Sequence, residues 1–133
     1  MKIDLDPSKK YLLACSFGPD SMALFSLLKE QGYTFEVAHV NYNMRSESMD
    51  EMTKLYEYCK DNGIIFHVLQ VHYVKEKINF QKWARDVRYS FFKQVTEKND
   101  IDILLTGHQQ DDLIETYMMQ TASSRDVGYF GII

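Results

Sequence analysis

Residues 11–28 read YLLACSFGPDSMALFSLL. An unbroken apolar run, Tyr11–Cys15, gives way to Ser-Phe-Gly-Pro-Asp-Ser, and apolar periodicity resumes at Leu24, Leu27 and Leu28. A short, near-continuous apolar run is the mark of a strand buried on both faces, and the later spacing is helical. The chain therefore turns from strand to helix through a small polar loop. Gly18 permits close backbone approach and unusual φ, while Pro19 fixes φ and removes an N–H. Asp20 and Ser21 stand at the helix start, where backbone N–H groups and the helix dipole favour a phosphate or pyrophosphate. A plain turn with Asp20 or Ser21 as N-cap accounts for the same residues. The loop is neither a Walker A motif, since no GK[ST] follows, nor GxGxxG.

Working outward, three further runs rich in β-type residues occur at Phe35–Val40, Ile64–Leu69 and Ile101–Leu105. Helical spacing separates them. Met52, Leu55, Tyr56 and Cys59 follow one helical stripe, and Phe80, Trp83, Ala84, Val87 and Phe91 another. The first helix is expected to end near Gly32, and Leu113 and Tyr117 suggest a last helix. Met52, Tyr56, Trp83 and Phe91 are expected in the core, and Glu30, Lys60 and Asp61 at solvated helix ends. The order β-α-β-α-β-α-β-α implies an α/β fold: a doubly wound, mainly parallel sheet with helices on both faces. Such sheets bind ligands at the carboxyl ends of strands, at the switch point. With strand order 3-2-1-4, that point lies between strands one and four. The two most polar connections, SFGPDS and TGHQQDDLIET, follow those strands and would converge there.

At 133 residues the chain makes one domain with a real core. Its net charge of −4 supplies no global basic field for nucleic acid or an anionic membrane. Cys15 and Cys59 have no CxxC spacing, which suits a reduced, cytoplasmic compartment. No run approaches about 18 apolar residues, and the N-terminus has no signal-peptide core, so no membrane partner is expected.

In GHQQDDLIET, Glu115 falls three residues after Asp112 and four after Asp111, so a helix would put it on one face with both aspartates. Clustered carboxylates repel unless a cation neutralises them, and Mg²⁺ prefers oxygen ligands beside phosphates. His108 could donate to a phosphate or act as acid or base. The bland alternative is an acidic first helical turn favoured by the dipole, with His108 exposed.

Four segments carry a family resemblance. SFGPDS resembles the SGGxDS signature of PP-loop ATP pyrophosphatases. HVNYNMRSESMD (His39–Asp50), ARDVRY (Ala84–Tyr89) and GHQQDDLIET are similar to the HVNHxLRxxSxxD, ARxxRY and HHxxDDxxET of the tRNA(Ile)-lysidine synthetases. They lie in family order and span nearly the whole chain. One such motif is weak; four together are specific.

The resemblance implies a Rossmann-like PP-loop fold and a two-step ligation using ATP and Mg²⁺. The C2 oxygen of the wobble cytidine in tRNA(Ile), anticodon CAU, attacks the α-phosphate and pyrophosphate leaves. The amine of L-lysine then displaces AMP, giving lysidine. By the same resemblance, Ser16, Phe17, Gly18, Pro19, Asp20 and Ser21 cradle the ATP phosphates, and His39 and Asn41 lie near the nucleotide. Asp20, His108, Asp111, Asp112 and Arg88 are the catalytic candidates, with Asp20 and Asp112 as metal ligands. Arg45, Arg85, Arg88, Asp112 and Glu115 are the substrate-binding candidates. Read from spacing alone, Arg85 and Arg88 serve equally as a solvated helix face, and SESMD as a helix start capped by Ser46 or Ser48.

The chain departs from the pattern in places. Phe17 replaces a glycine and Tyr42 a histidine, and the tail TASSRDVGYFGII matches the family's next segment loosely. Residues 1–133 are thus expected to be a PP-loop catalytic domain cut short on its C-terminal side, with the tRNA-binding domains elsewhere. Homodimerisation stays open. Rival readings are a tRNA thiolase, GMP synthetase or asparagine synthetase of the same superfamily, a universal-stress-type ATP-binding module, and a flavodoxin-like interaction domain. Thiolases commonly use cysteines, whereas Cys15 and Cys59 both sit where a core residue would. Tyr33, His67 and His72 carry no signal.

Overall fold

The computed structural model describes residues 5–16, 18–44, 46–72, 79–107, 114–119 and 129–132, the last two segments by backbone alone. The elements follow in the order β1 (Lys10–Ala14), α1 (Pro19–Glu30), β2 (Thr34–Asn41), α2 (Ser48–Asp61), β3 (Phe66–Gln70), α3 (Phe80–Lys98), β4 (Ile103–Gly107), β5 (Ile114–Met119) and β6 (Tyr129–Ile132). The sheet runs β3-β2-β1-β4-β5-β6. β1 is parallel to both β2 and β4, and β2 to β3. The expected 3-2-1-4 order therefore holds, with the switch point between β1 and β4.

Alternation along β1 sorts the two layers. Tyr11 and Leu13 face α1 and α2, packing with Leu24, Phe25, Leu28, Leu55 and Cys59. Leu12 faces α3 with Ala38, Phe92, Val95 and Leu104. Each fully buried leucine contributes roughly 1.5–3 kcal/mol, so these two faces hold the sheet to its helices. Gly32 (φ +78°) and Gly63 (φ +70°) follow α1 and α2 in the left-handed conformation that closes a helix. Glu30, Lys60 and Asp61 are exposed, as expected of helix ends.

Three expectations need correction. Tyr117 lies not in a helix but in β5, antiparallel to β4; Leu113 lies outside the described residues. Ile, Thr and Tyr in IETYMM suit a strand, and pairing with an existing edge outweighs a weak helical pattern. Second, Tyr56 is half exposed, and Met52, Trp83 and Phe91 are only partly buried. The buried stripe of α3 is Ala84, Phe92, Val95 and Thr96, rotated from the predicted one. Third, neither Ser46 nor Ser48 caps α2; Glu47 is its N-cap, without a side-chain cap bond.

Candidate functional site

The loop after β1 closes on itself. Ser21 is buried in the first turn of α1, and its Oγ accepts from the Ser16 backbone N–H at 3.4 Å and lies 3.3 Å from Ser16 Oγ. The N-cap is Gly18, not Asp20 or Ser21, and no side chain among the described residues caps the helix. Pro19 occupies the first turn, where its missing N–H costs nothing. Gly18 has φ −80°, so the unusual φ expected of it is not used. A Cβ there would meet Ser16 Oγ at 3.4 Å, an ordinary van der Waals contact, so among the described residues nothing crowds a side chain at this position. Asp20 Oδ2 is sealed from solvent and has no hydrogen-bond partner among the described residues. Phe17 lies outside them.

Beside this loop, the carboxyl end of β2 bounds a cavity of about 220 Å³ lined by Ser16, His39, Asn41, Tyr42, Glu51 and Phe80, among others. His39 is buried, and its Nδ1 bonds the Cys15 carbonyl at 2.8 Å. A carbonyl only accepts, so Nδ1 carries the proton and Nε2 is left as an acceptor. Burial pushes the His39 pKa below its ordinary value, outweighing the Cys15 carbonyl and Glu51, so the ring is neutral at physiological pH. Asn41 is buried on the same side. Its Oδ1 accepts from the Asn43 N–H at 2.9 Å, which supports the positive φ (54°) of Asn43. Among the described residues its Nδ2 meets sulfur, Met49 at 3.4 Å and Met52 at 3.6 Å.

Tyr42 projects toward the opposite layer. Its ring packs 5.7 Å from Phe80 and 5.9 Å from Trp83, and its hydroxyl reaches the Ala84 carbonyl and Arg88 Nη1, both at 3.3 Å. The two arginines read as a pair from sequence are thus separated. Arg88 is tied to the end of β2, whereas Arg85 is exposed and stacks 5.4 Å over the Tyr89 ring.

Of the second motif, His108, Asp111 and Asp112 lie outside the described residues, as does Arg45 in the loop before α2. Glu115 stands in β5 opposite Thr106 on β4, so the helical face expected to unite it with both aspartates is not formed. No group of metal-ligating side chains occurs among the described residues. Sequence reasoning gave no role to Tyr42, Phe80, Glu51 or Thr106. The Thr106 hydroxyl, at the carboxyl end of β4, is sealed from solvent with no partner among the described residues. Adjacency to the polar strand ends is the one signal that could have found them.

A family model described as a PP-loop domain matches residues 2–132. The chain is 34% identical over 134 residues to the tRNA(Ile)-lysidine synthase of Mesoplasma florum, covering 98% of this chain and 34% of that protein. It is 38% identical over 133 residues to that of Mycoplasma mycoides subsp. mycoides SC, covering 97% and 33%. It is 40% identical over 121 residues to that of Mycoplasmopsis pulmonis, covering 91% and 42%. The chain thus spans about a third of the length of the first two curated relatives, 34% and 33%. Among solved structures, the U34-tRNA thiolase NcsA from Methanococcus maripaludis, with its [4Fe-4S] cluster, superposes with a TM-score of 0.65 at 22% identity. That likeness covers 81% of this chain and 41% of the thiolase, and it concerns the fold.

Proposed function

The chain belongs to the PP-loop domain family, and on that premise we propose that its Ser16–Ser21 loop holds ATP for a ligase that joins L-lysine to C2 of the wobble cytidine of tRNA(Ile), anticodon CAU. The cytidine C2 oxygen takes the adenylyl group with loss of pyrophosphate, and the lysine amine displaces AMP. The observation that carries this is Asp20 Oδ2, sealed from solvent and without a partner among the described residues, beside a helix N-terminus that none of their side chains caps, next to the β1–β4 switch point. A buried carboxylate oxygen without a partner is costly, and a cation or a donor on a ligand would relieve it. The residues therefore fit a phosphate with its metal. Mg²⁺, when bound, supplies charge neutralisation on the phosphates.

In this reading Ser16, Phe17, Gly18, Pro19 and Ser21 form the cradle, and Asp20 with Asp112 holds the metal. The neutral His39 ring, with Nε2 as acceptor, and Asn41 meet the nucleotide from β2. Arg88 acts from α3 on the charged substrate groups, with Arg45, Arg85, Asp112 and Glu115 as further substrate contacts. His108 serves the phosphates, and Asp111 is a further carboxylate for Mg²⁺ or the lysine ammonium. At a net charge of −4 this domain is a poor tRNA binder by itself, so tRNA affinity is assigned to the remainder of a longer cytoplasmic enzyme. Sulfur transfer is the weaker reading. Both cysteines are buried in the core, and burial pushes the Cys59 thiol up to about 12, so it is a poor nucleophile.

Calorimetry with MgATP and MgGTP tests the premise. ATP-selective binding is expected, weakened at least about tenfold in Asp20→Ala, which is roughly 1.4 kcal/mol. A folded chain that binds no ATP would end the proposal. ATP binding without lysine transfer to tRNA(Ile) by the longer enzyme would keep the nucleotide site and discard the ligase.

A further inference from the structure

The proposed site includes Arg88 but says nothing of what aims it. We propose that Tyr42 is a positioning residue for Arg88, its hydroxyl pinning the guanidinium to the carboxyl end of β2. The hydroxyl lies 3.3 Å from the Ala84 carbonyl and 3.3 Å from Arg88 Nη1. It has one proton, and the carbonyl can only accept, so that proton goes to Ala84. The oxygen lone pairs then face Arg88, which can only donate. Burial pushes the Tyr42 phenol above its ordinary pKa, outweighing Arg88, so the hydroxyl keeps its proton. Ala84 and Arg88 are four residues apart on α3, so one oxygen holds two successive turns.

The ring is held in its turn. Phe80 and Trp83 flank it at 5.7 and 5.9 Å and pack on each other at 5.9 Å. The result is a short rigid post between strand end and helix. Arg85, one turn earlier, has no such tie among the described residues and stacks on its own helix. A long cationic side chain is useful for recognition only when its fork is pre-organised, and Tyr42 supplies that order.

What Arg88 binds rests on the proposed function; that Tyr42 aims it does not. The test uses the chain labelled with ¹⁵N-arginine and the variants Tyr42→Phe, Tyr42→His and Arg88→Lys. In Tyr42→Phe the Arg88 side-chain N–H signals should shift and exchange at least about fivefold faster, a loss of one hydrogen bond. Arg85 signals should not move, and Tyr42→His should restore part of the protection. Affinities for MgATP and for L-lysine are then measured separately. Whichever of them Arg88→Lys weakens, Tyr42→Phe should also weaken, with no further loss when the two changes are combined. Unchanged Arg88 signals in Tyr42→Phe, or a full additional loss in the Arg88→Lys background, would overturn the proposal. If Arg88→Lys weakens neither ligand while the signals respond to Tyr42→Phe, positioning stands and the substrate role of Arg88 fails.

Discussion

Strand β2 carries buried polar side chains near both of its ends, and the two ends treat them in opposite ways. Toward the amino end, Glu36 is almost fully buried, yet both of its oxygens are engaged. Lys10 Nζ on β1 lies 2.7 Å from Oε2, and His67 Nε2 on β3 lies 2.6 Å from Oε1. Lys10 also donates to the Asn99 carbonyl at 3.0 Å. Toward the carboxyl end, His39 offers an acceptor to a cavity, and beyond it Asp20 and Thr106 each hold a sealed oxygen with no partner among the described residues. Burial costs the same at either end. Where the protein compensates it internally, the cluster locks three strands together. Where it does not, the proposed function assigns the compensation to a ligand.

The largest effect expected from this contrast is on stability. Removing one member of a buried ion cluster leaves the others uncompensated, at about 3–5 kcal/mol for a dry site. The Lys10 side chain retains 32% exposure and can turn toward water. Glu36→Gln should therefore cost roughly 2–4 kcal/mol by urea unfolding while leaving MgATP affinity unchanged. Equal damage to nucleotide binding by Glu36→Gln and Asp20→Ala would show that the two ends are one unit.

The contrast was only half legible in the sequence. Four apolar runs and the helical stripes between them gave the parallel strands, the doubly wound order and the switch point, because periodicity is local. The loop after β1 announced itself through its composition. Glu36 and His67 did not, since they are 31 residues apart and meet only once β2 and β3 are in register. Tyr42 was seen as a departure from a pattern, and its tie to Arg88, 46 residues away, depends on where α3 lands. The final helix failed for a related reason. Its pattern was weak, and the edge of β4 offered IETYMM a ladder that sequence alone does not display.

A second, smaller effect separates the two ends by pH. The folded His39 sits below its ordinary value of 6.5 because it is buried. Above about 6.5 neither folded nor unfolded chain protonates it, and its contribution is complete. As pH falls below that, the unfolded chain binds a proton that the folded one resists, and stability declines until the folded pKa is passed. At Glu36, burial pushes the carboxyl up, but the hydrogen bonds from Lys10 and His67 outweigh it and leave it below its ordinary 4.5. Its contribution is full above about 4.5 and is lost as pH falls through the lower folded value. Urea midpoints taken from pH 7.5 to 3.5 should show both declines. His39→Gln should remove the upper one alone, and Glu36→Gln the lower one alone. A single decline that both variants shift together would mean that the ends titrate as one system.

The smallest expected effect is the most discriminating about the carboxyl end. Thr106 pairs with Ala14 across the β1–β4 ladder, two residues on from the Leu12–Leu104 pair, so it faces the α3 layer. Asp20 stands in the first turn of α1, on the other layer. Oxygens without a partner among the described residues thus flank the switch point from both layers. A buried hydroxyl without a partner costs about 1–3 kcal/mol, and valine keeps its shape without the oxygen. If Thr106 is an imperfection in packing, Thr106→Val should stabilise the chain by about 1 kcal/mol and leave MgATP binding alone. If its oxygen belongs with that of Asp20, the same stabilisation should come with weaker binding. That exchange of function for stability is expected only where polar groups are kept unsatisfied for a ligand. We expect the second outcome, read by urea unfolding and calorimetry on one preparation. Glu36→Gln, by contrast, loses stability and gains nothing, which is why the sign of the stability change, more than its size, tells the two ends of β2 apart.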